Sequence, residues 1–210
     1  MENKFKFYAI KLSIICLIIF ILQNILSGFT DLFILNSQTY WEIWRFLTAI
    51  FLHGSLIHLV YNLFALLLFG SIVERFIGGK RFLIVFFASG ILANIISAIF
   101  YPSSLGASGA IFGVIGTLVF IRPTMAVFAF GLPMPMFLAG ILWMAGDLLG
   151  AYGFLVGNPI DNTGNIAHLT GMLVGLIFGI FFRNWKRDEK RYRIELDENS
   201  VRKWEDNYLR

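Results

Sequence analysis

The sequence is poor in charge. Of its 210 residues only 14% are Asp, Glu, Lys or Arg, against about 25% in an average soluble domain. It has a single cysteine, Cys16, so no disulfide forms within the chain and no metal cluster can rest on thiolates. Histidine is nearly as scarce, with only His53, His58 and His168, and no repeat of solenoid period runs through the chain. What fills the space is apolar. Some 58% of the residues are hydrophobic, mean hydropathy is +0.75, and there are 23 Phe and 20 Gly. Glycine is commoner in membrane helices than in soluble ones, so the composition describes an all-α polytopic membrane protein. The net charge of +4 is then a matter of membrane orientation and gives no reason to expect a nucleic-acid partner.

Lys4, Lys6 and Lys11 precede an apolar run that extends to about Leu26. A secretory signal shares the basic start and the apolar core, but this run is too long and no small-x-small cleavage site follows, so it reads as a retained first helix. Residues 27–54 carry Asp31, Glu42, Arg45 and the aromatics Phe29, Phe33, Tyr40, Trp41 and Trp44. They are too polar to span and rich in headgroup-level side chains, which predicts a half-embedded first loop. Five further spans are expected at about 55–76, 82–101, 108–121, 126–150 and 165–183. The run at 108–121 is short for a hydrocarbon core of about 30 Å, so its start at Ser108 should lie below one surface. Irregular backbone at that depth needs a cover of protein or a water-filled cavity.

Six spans put both termini on one side, and all 17 Lys and Arg except Arg45 fall on that side. The positive-inside rule makes it cytoplasmic. The reading is therefore a multi-pass protein of the cell membrane, with residues 1–183 as a six-helix domain. Residues 184–210 form a tail of mixed charge, read as a solvated cytoplasmic helix with weak attraction for anionic lipid.

Polar residues inside spans are rare and point to function. Ser108 sits in Gly106-Ala107-Ser108-Gly109-Ala110-Ile111-Phe112-Gly113, where a serine can pack, cap a helix or act as a nucleophile, and where Gly109 and Gly113 suit close helix approach. His58 and Asn62, four residues apart, project from one face of the second span, with His53 in the loop before it. His168 opens the sixth span, with Gly171 and Gly175 on its face. By topology Ser108, His168 and the His58–Asn62 pair share a depth below the outer surface. A serine nucleophile needs a neighbouring base, usually His, and the oxyanion it creates needs preset donors such as an Asn amide, a His N–H and backbone N–H groups. Each of these residues also has a plain structural use, as a helix cross-link or as a histidine satisfied by a carbonyl. A metal site from His53, His58 and His168 is disfavoured, because there is no nearby carboxylate pair and His53–His58 is not a helical i,i+4 spacing.

From about Trp41 to Gly179 the chain resembles the rhomboid family of intramembrane serine proteases. The likeness rests on Trp44-Arg45, on His53 followed by His58-Leu59-Val60-Tyr61-Asn62, on Gly106-Ala107-Ser108-Gly109, and on Ala167-His168-Leu169-Thr170-Gly171. A lone Gly-x-Ser-Gly would be weak evidence; four blocks in order and on the expected spans are strong. The resemblance implies a Ser108–His168 dyad that needs no acidic third member and no cofactor or metal. It implies an oxyanion hole made by His58, Asn62 and the Ser108 N–H, a presenting loop shaped by Gly106 and Ala107, and support of the outer loop by His53, Trp44 and Arg45.

One departure is Phe112, where many relatives carry tyrosine; its ring can pack on His168 but offers no hydroxyl. Gly109 and Gly171 let the fourth and sixth spans approach. Asp147 invites a triad reading, which the family's dyad argues against in favour of a structural pairing. Glu74 is expected to pair or cap locally, with Arg75 or Lys80 as partners. The implied partners are the bilayer and transmembrane protein substrates whose helices enter laterally beside the fifth span and unwind, so Gly, Ser or Pro in the substrate should help. The alternative is a catalytically inert rhomboid-like binder of client membrane helices. A small-solute transporter is disfavoured because no paired broken spans appear in two matching halves.

Overall fold

The longest uninterrupted apolar runs become long helices. The computed structural model describes residues 6–160, 163–183 and 198–208. In chain order it contains α1 (Tyr8–Ile25), α2 (Phe29–Phe33), β1 (Leu35–Asn36), α3 (Arg45–Thr48), α4 (Leu56–Ala65), α5 (Ser71–Ile77), α6 (Gly79–Phe100), β2 (Ser103–Ser104), α7 (Ser108–Ile121), β3 (Ala126–Ala129), β4 (Leu132–Pro135), α8 (Met136–Leu155), α9 (Asn165–Phe182) and α10 (Glu198–Tyr208). A π turn, Leu66–Gly70, joins α4 to α5 in one continuous span. Among the described residues five segments are long and apolar enough to cross a bilayer: α1, α4 through α5, α6, α8 and α9. The sixth apolar helix, α7, has 14 residues and is about 21 Å long at 1.5 Å per residue. The result is a mostly helical, polytopic membrane bundle.

The short helix is the centre. Along α7, Ala110, Ile111, Gly113, Val114, Ile115, Gly116, Thr117 and Leu118 are all buried. They pack with Phe82 and Phe86 of α6, Leu66 of the π turn, Met136 of α8 and Met172 of α9 in one apolar core. Long apolar side chains on α1, α4 and α8, such as Ile18, Ile57 and Leu149, point outward, as a lipid-facing surface requires. Because neighbouring helices cover α7, it can start below the surface without exposing backbone to lipid.

Glycines set the distance between α7 and α9. A Cβ on Gly171 would sit 2.9 Å from the Gly109 carbonyl carbon, and one on Gly175 would sit 2.6 Å from that of Gly113. Only residues without a side chain permit this backbone contact. Thr117 Oγ1 lies 3.0 Å from the Gly113 carbonyl and 2.9 Å from the Gly175 carbonyl, so its hydroxyl proton is shared across the seam.

The first loop is folded onto the bundle. Buried Arg45 donates from Nη1 to the carbonyls of Asp31 (2.6 Å) and Ile34 (2.8 Å), and from Nε to Glu42 Oε2 (2.8 Å). Leu35 and Asn36 pair antiparallel with Ser104 and Ser103, tying the loop to the segment that precedes Ser108.

Two expectations need correction. The expected span at 126–150 starts only at Met136, because residues 126–135 form the antiparallel β3–β4 hairpin. Pro133 and Pro135 lack the N–H a helix interior needs. Phe130 (φ 54°) and Gly131 (φ 79°) make the two-residue turn with positive φ at both positions that suits a hairpin. Glu74 does not serve its own helix end. It is buried and accepts from the backbone N–H of Lys6 (3.0 Å) and Ala9 (3.1 Å), satisfying donors left open at the start of α1. Of the expected tail helix, α10 is described; residues 184–197 lie outside the described residues, as does Lys4.

Candidate active site

Ser108 is the first residue of α7. The preceding turn is held by the Gly106 N–H, which donates to the Ala49 carbonyl at 2.9 Å. Gly106 has φ 120°, and a Cβ there would lie 2.8 Å from His58 Cε1. Both the backbone conformation and the close approach therefore require glycine. The first N–H groups of a helix have no partner within it, and Ser108 stands at that end of α7.

Ser108 and His168 line one cavity of about 1280 Å³, together with His58, Asn62, Tyr61 and Trp143. Ser55 caps α4 by accepting from the His58 N–H at 3.1 Å, which fixes where that helix begins. One turn on, Asn62 Nδ2 donates to the His58 carbonyl at 2.8 Å. An amide nitrogen carries two hydrogens, so one remains for the cavity.

The His168 ring is held on two sides. Phe112 stacks on its face at a centroid distance of 4.3 Å and an interplanar angle of 5°. Asp147 Oδ1 lies 2.9 Å from Nδ1, with only 8% of the Asp147 and 13% of the His168 side chain exposed. Among the described residues Ser108 Oγ makes no hydrogen bond to the ring. Such pairs are often open in the free protein and close with substrate.

Of the other expected residues Gly109 also lines the cavity, and His53, Trp44, Arg45, Ala107 and Gly171 do not. His53 is buried, with its ring 5.1 Å from that of His58, Nδ1 3.2 Å from the Phe51 carbonyl, and its backbone bonded to the Gln23 amide. Burial and the neighbouring His58 push its pKa down to about 4. Arg45 stitches the first loop and Trp44 precedes α3, half exposed; neither lines the cavity. Gly109 and Gly171 form the seam, and Ala107 is buried at the N-cap of α7. Sequence reasoning missed Gly150, where a Cβ would meet the Asn165 side chain. That contact brings α8 against the start of α9 and Asp147 to His168; a span of 21 residues between the two offers no spacing signal.

The described residues hold no group of three or more metal-ligating side chains. The fold and site define a multi-pass helical membrane protein in which a serine and a histidine, each partly buried, line a shared cavity. The chain belongs to the rhomboid family: the family profile described as Rhomboid domain matches residues 40–185. It is 31% identical over 175 residues to rhomboid protease GlpG of Haemophilus influenzae, covering 80% of this chain and 86% of that protein. It is 42% identical over 135 residues to rhomboid protease GluP of Bacillus subtilis, covering 62% of this chain and 25% of that much longer protein. A third relative, rhomboid protease GlpG of Yersinia pseudotuberculosis, is 25% identical over 178 residues, covering 82% of this chain and 62% of that one.

Proposed function

We propose that this chain is a serine endopeptidase that hydrolyses peptide bonds in or near the transmembrane segments of membrane proteins. The observation that carries the reading is the meeting of Ser108, His168, His58 and Asn62 on one cavity at the start of a buried helix. The named proteases among its relatives support the same reading.

Ser108 Oγ attacks the scissile carbonyl while His168 takes its proton. The oxyanion is held by the Ser108 N–H, the free Asn62 N–H and the His58 ring, placed before the charge develops. His168 then returns the proton to the leaving amine, and water activated by the same imidazole hydrolyses the acyl-enzyme. Gly106 and Ala107 shape the turn that presents the serine. Gly109 and Gly171 bring its helix to the base, while His53, Trp44 and Arg45 support the outer loop.

These steps need no cofactor. At 1280 Å³ the cavity exceeds the range of about 300–1,000 Å³ usual for small ligands, as an unwound peptide segment requires. Partners are substrate helices and the bilayer, with no nucleic acid or metal. In this reading α7 completes a six-span domain with both termini cytoplasmic, the cavity opens outward, and the protein sits in the cell membrane.

A fluorophosphonate probe should label the wild type and fail to label Ser108→Ala, and His168→Ala should abolish turnover of a model membrane substrate. Equal labelling of wild type and Ser108→Ala removes the nucleophile. A folded wild type that takes no label leaves an inert binder of client helices as the better reading.

A further inference from the structure

The proposed chemistry gives Asp147 no task, yet Asp147 is the polar group that grips the base. It comes from α8, a helix that carries no other member of the proposed dyad or oxyanion hole. Its Oδ1 lies 2.9 Å from His168 Nδ1, and Asp147 is buried. The rest of the carboxylate is idle, since Oδ2 is buried without a hydrogen-bond partner. Leaving a carboxylate oxygen unpaired away from water is costly, so the position is poorly explained as a helix cross-link chosen for stability alone. Gly150, on the next turn of α8, lets that helix close against Asn165 at the start of α9. The approach that allows the contact is therefore built into both helices.

The consequence for the imidazole is geometric. A carboxylate can only accept, so Nδ1 must carry its hydrogen. That assigns the tautomer and leaves Nε2 as the nitrogen with a lone pair. Phe112 covers one face of the ring, which leaves the ring edge available to the cavity that Ser108 lines.

Resting on the serine-protease reading, we infer that Asp147 is a positioning residue, which fixes His168 with Nε2 as the acceptor for the Ser108 proton. When His168 takes that proton it becomes a cation, and the same carboxylate lies against it.

The test is Asp147→Asn, which keeps the size of the side chain but can turn its NH₂ toward Nδ1 and so favour the opposite tautomer. In the purified full chain, kcat on a model membrane substrate should fall by about 10²- to 10³-fold, with KM within about threefold and thermal unfolding within a few degrees of wild type. Asp147→Glu, which restores an acceptor-only group, should recover at least tenfold of the loss. A folded Asp147→Asn with kcat within threefold of wild type overturns the inference. So does a matched loss in Asn and Glu variants in which stability falls alongside activity, since packing would then be the whole role. Fluorophosphonate labelling of the wild type in the same preparation separates the two proposals. A labelled wild type with an indifferent Asp147→Asn overturns this inference alone, whereas an unlabelled wild type overturns both.

Discussion

Gly171→Ala adds one carbon to the seam between α7 and α9. That carbon would fall inside the contact distance of the Gly109 carbonyl oxygen and lie 2.9 Å from the carbonyl carbon and 3.3 Å from Cα. Carbon atoms prefer about 3.5–4.0 Å, and all three obstacles are backbone, so no rotamer change relieves them. The helices must part by about 1 Å. Gly109 directly follows Ser108, so the displacement passes straight to the hydroxyl. Misplacing a reacting group by about 1 Å can cost roughly 10²-fold in rate, and forcing a methyl into a packed seam costs about 1–3 kcal/mol, although alanine is the better helix former by about 1 kcal/mol. The expected result is a fall in kcat of roughly 10²-fold on a model membrane substrate, with a lower unfolding temperature in detergent. Gly146→Ala is the control. The same substitution on α8, where a Cβ meets nothing within 4 Å, should leave turnover unchanged and stability equal or higher. If Gly171→Ala keeps kcat within threefold and unfolds with the wild type, the seam does not set the serine–histidine geometry.

His53 ties stability to pH. Its pKa falls from 6.5 to about 4 in the fold, so between those values the unfolded chain binds the extra proton. Stability should therefore be full above pH 6.5 and be lost progressively as pH falls toward 4, by about 3 kcal/mol at about 1.4 kcal/mol per unit. Unfolding temperatures from pH 7.5 to 4.5 should converge between wild type and His53→Leu as pH falls; parallel curves would refute the assignment. Glu74→Gln leaves one acceptor oxygen where two N–H groups converge and removes the charge facing the start of α1. A loss of about 1–3 kcal/mol should appear in thermal unfolding, and no loss would mean that the α1 contact is dispensable.

Much of this was legible because a bilayer imposes simple rules. Apolar length placed α1, α6 and α9 within a few residues, and the shortness of the run after Ser108 marked the buried helix. Three of the four blocks contribute residues to one cavity, whereas Trp44 and Arg45 belong to the first loop. The hairpin was hidden for a physical reason: Ala126–Pro135 is as apolar as the helix that follows, and a short apolar run does not reveal its period. Only Pro133, Pro135 and the Phe130-Gly131 turn distinguish it. The partners of Glu74 and Asp147 were hidden differently. A carboxylate's partner depends on the rotation of helices about their axes, and the contacts that set it, at Gly79 with Tyr8 and at Gly150 with Asn165, join distant parts of the chain. The π turn has no sequence signal at all.

The Glu74 contact also orders assembly in time. The carboxylate and the Lys6 N–H it accepts from are 68 residues apart, and a ribosome adds about 5–20 residues per second. For roughly 3–14 s, at that rate, α1 exists with its first N–H groups unmet. An isolated helix in that condition is best left at the interface, where water can serve those donors. When α5 emerges, its carboxylate gives them a partner inside protein and the second span becomes the clamp for the first. The start of α1 is thus completed by a residue made seconds later.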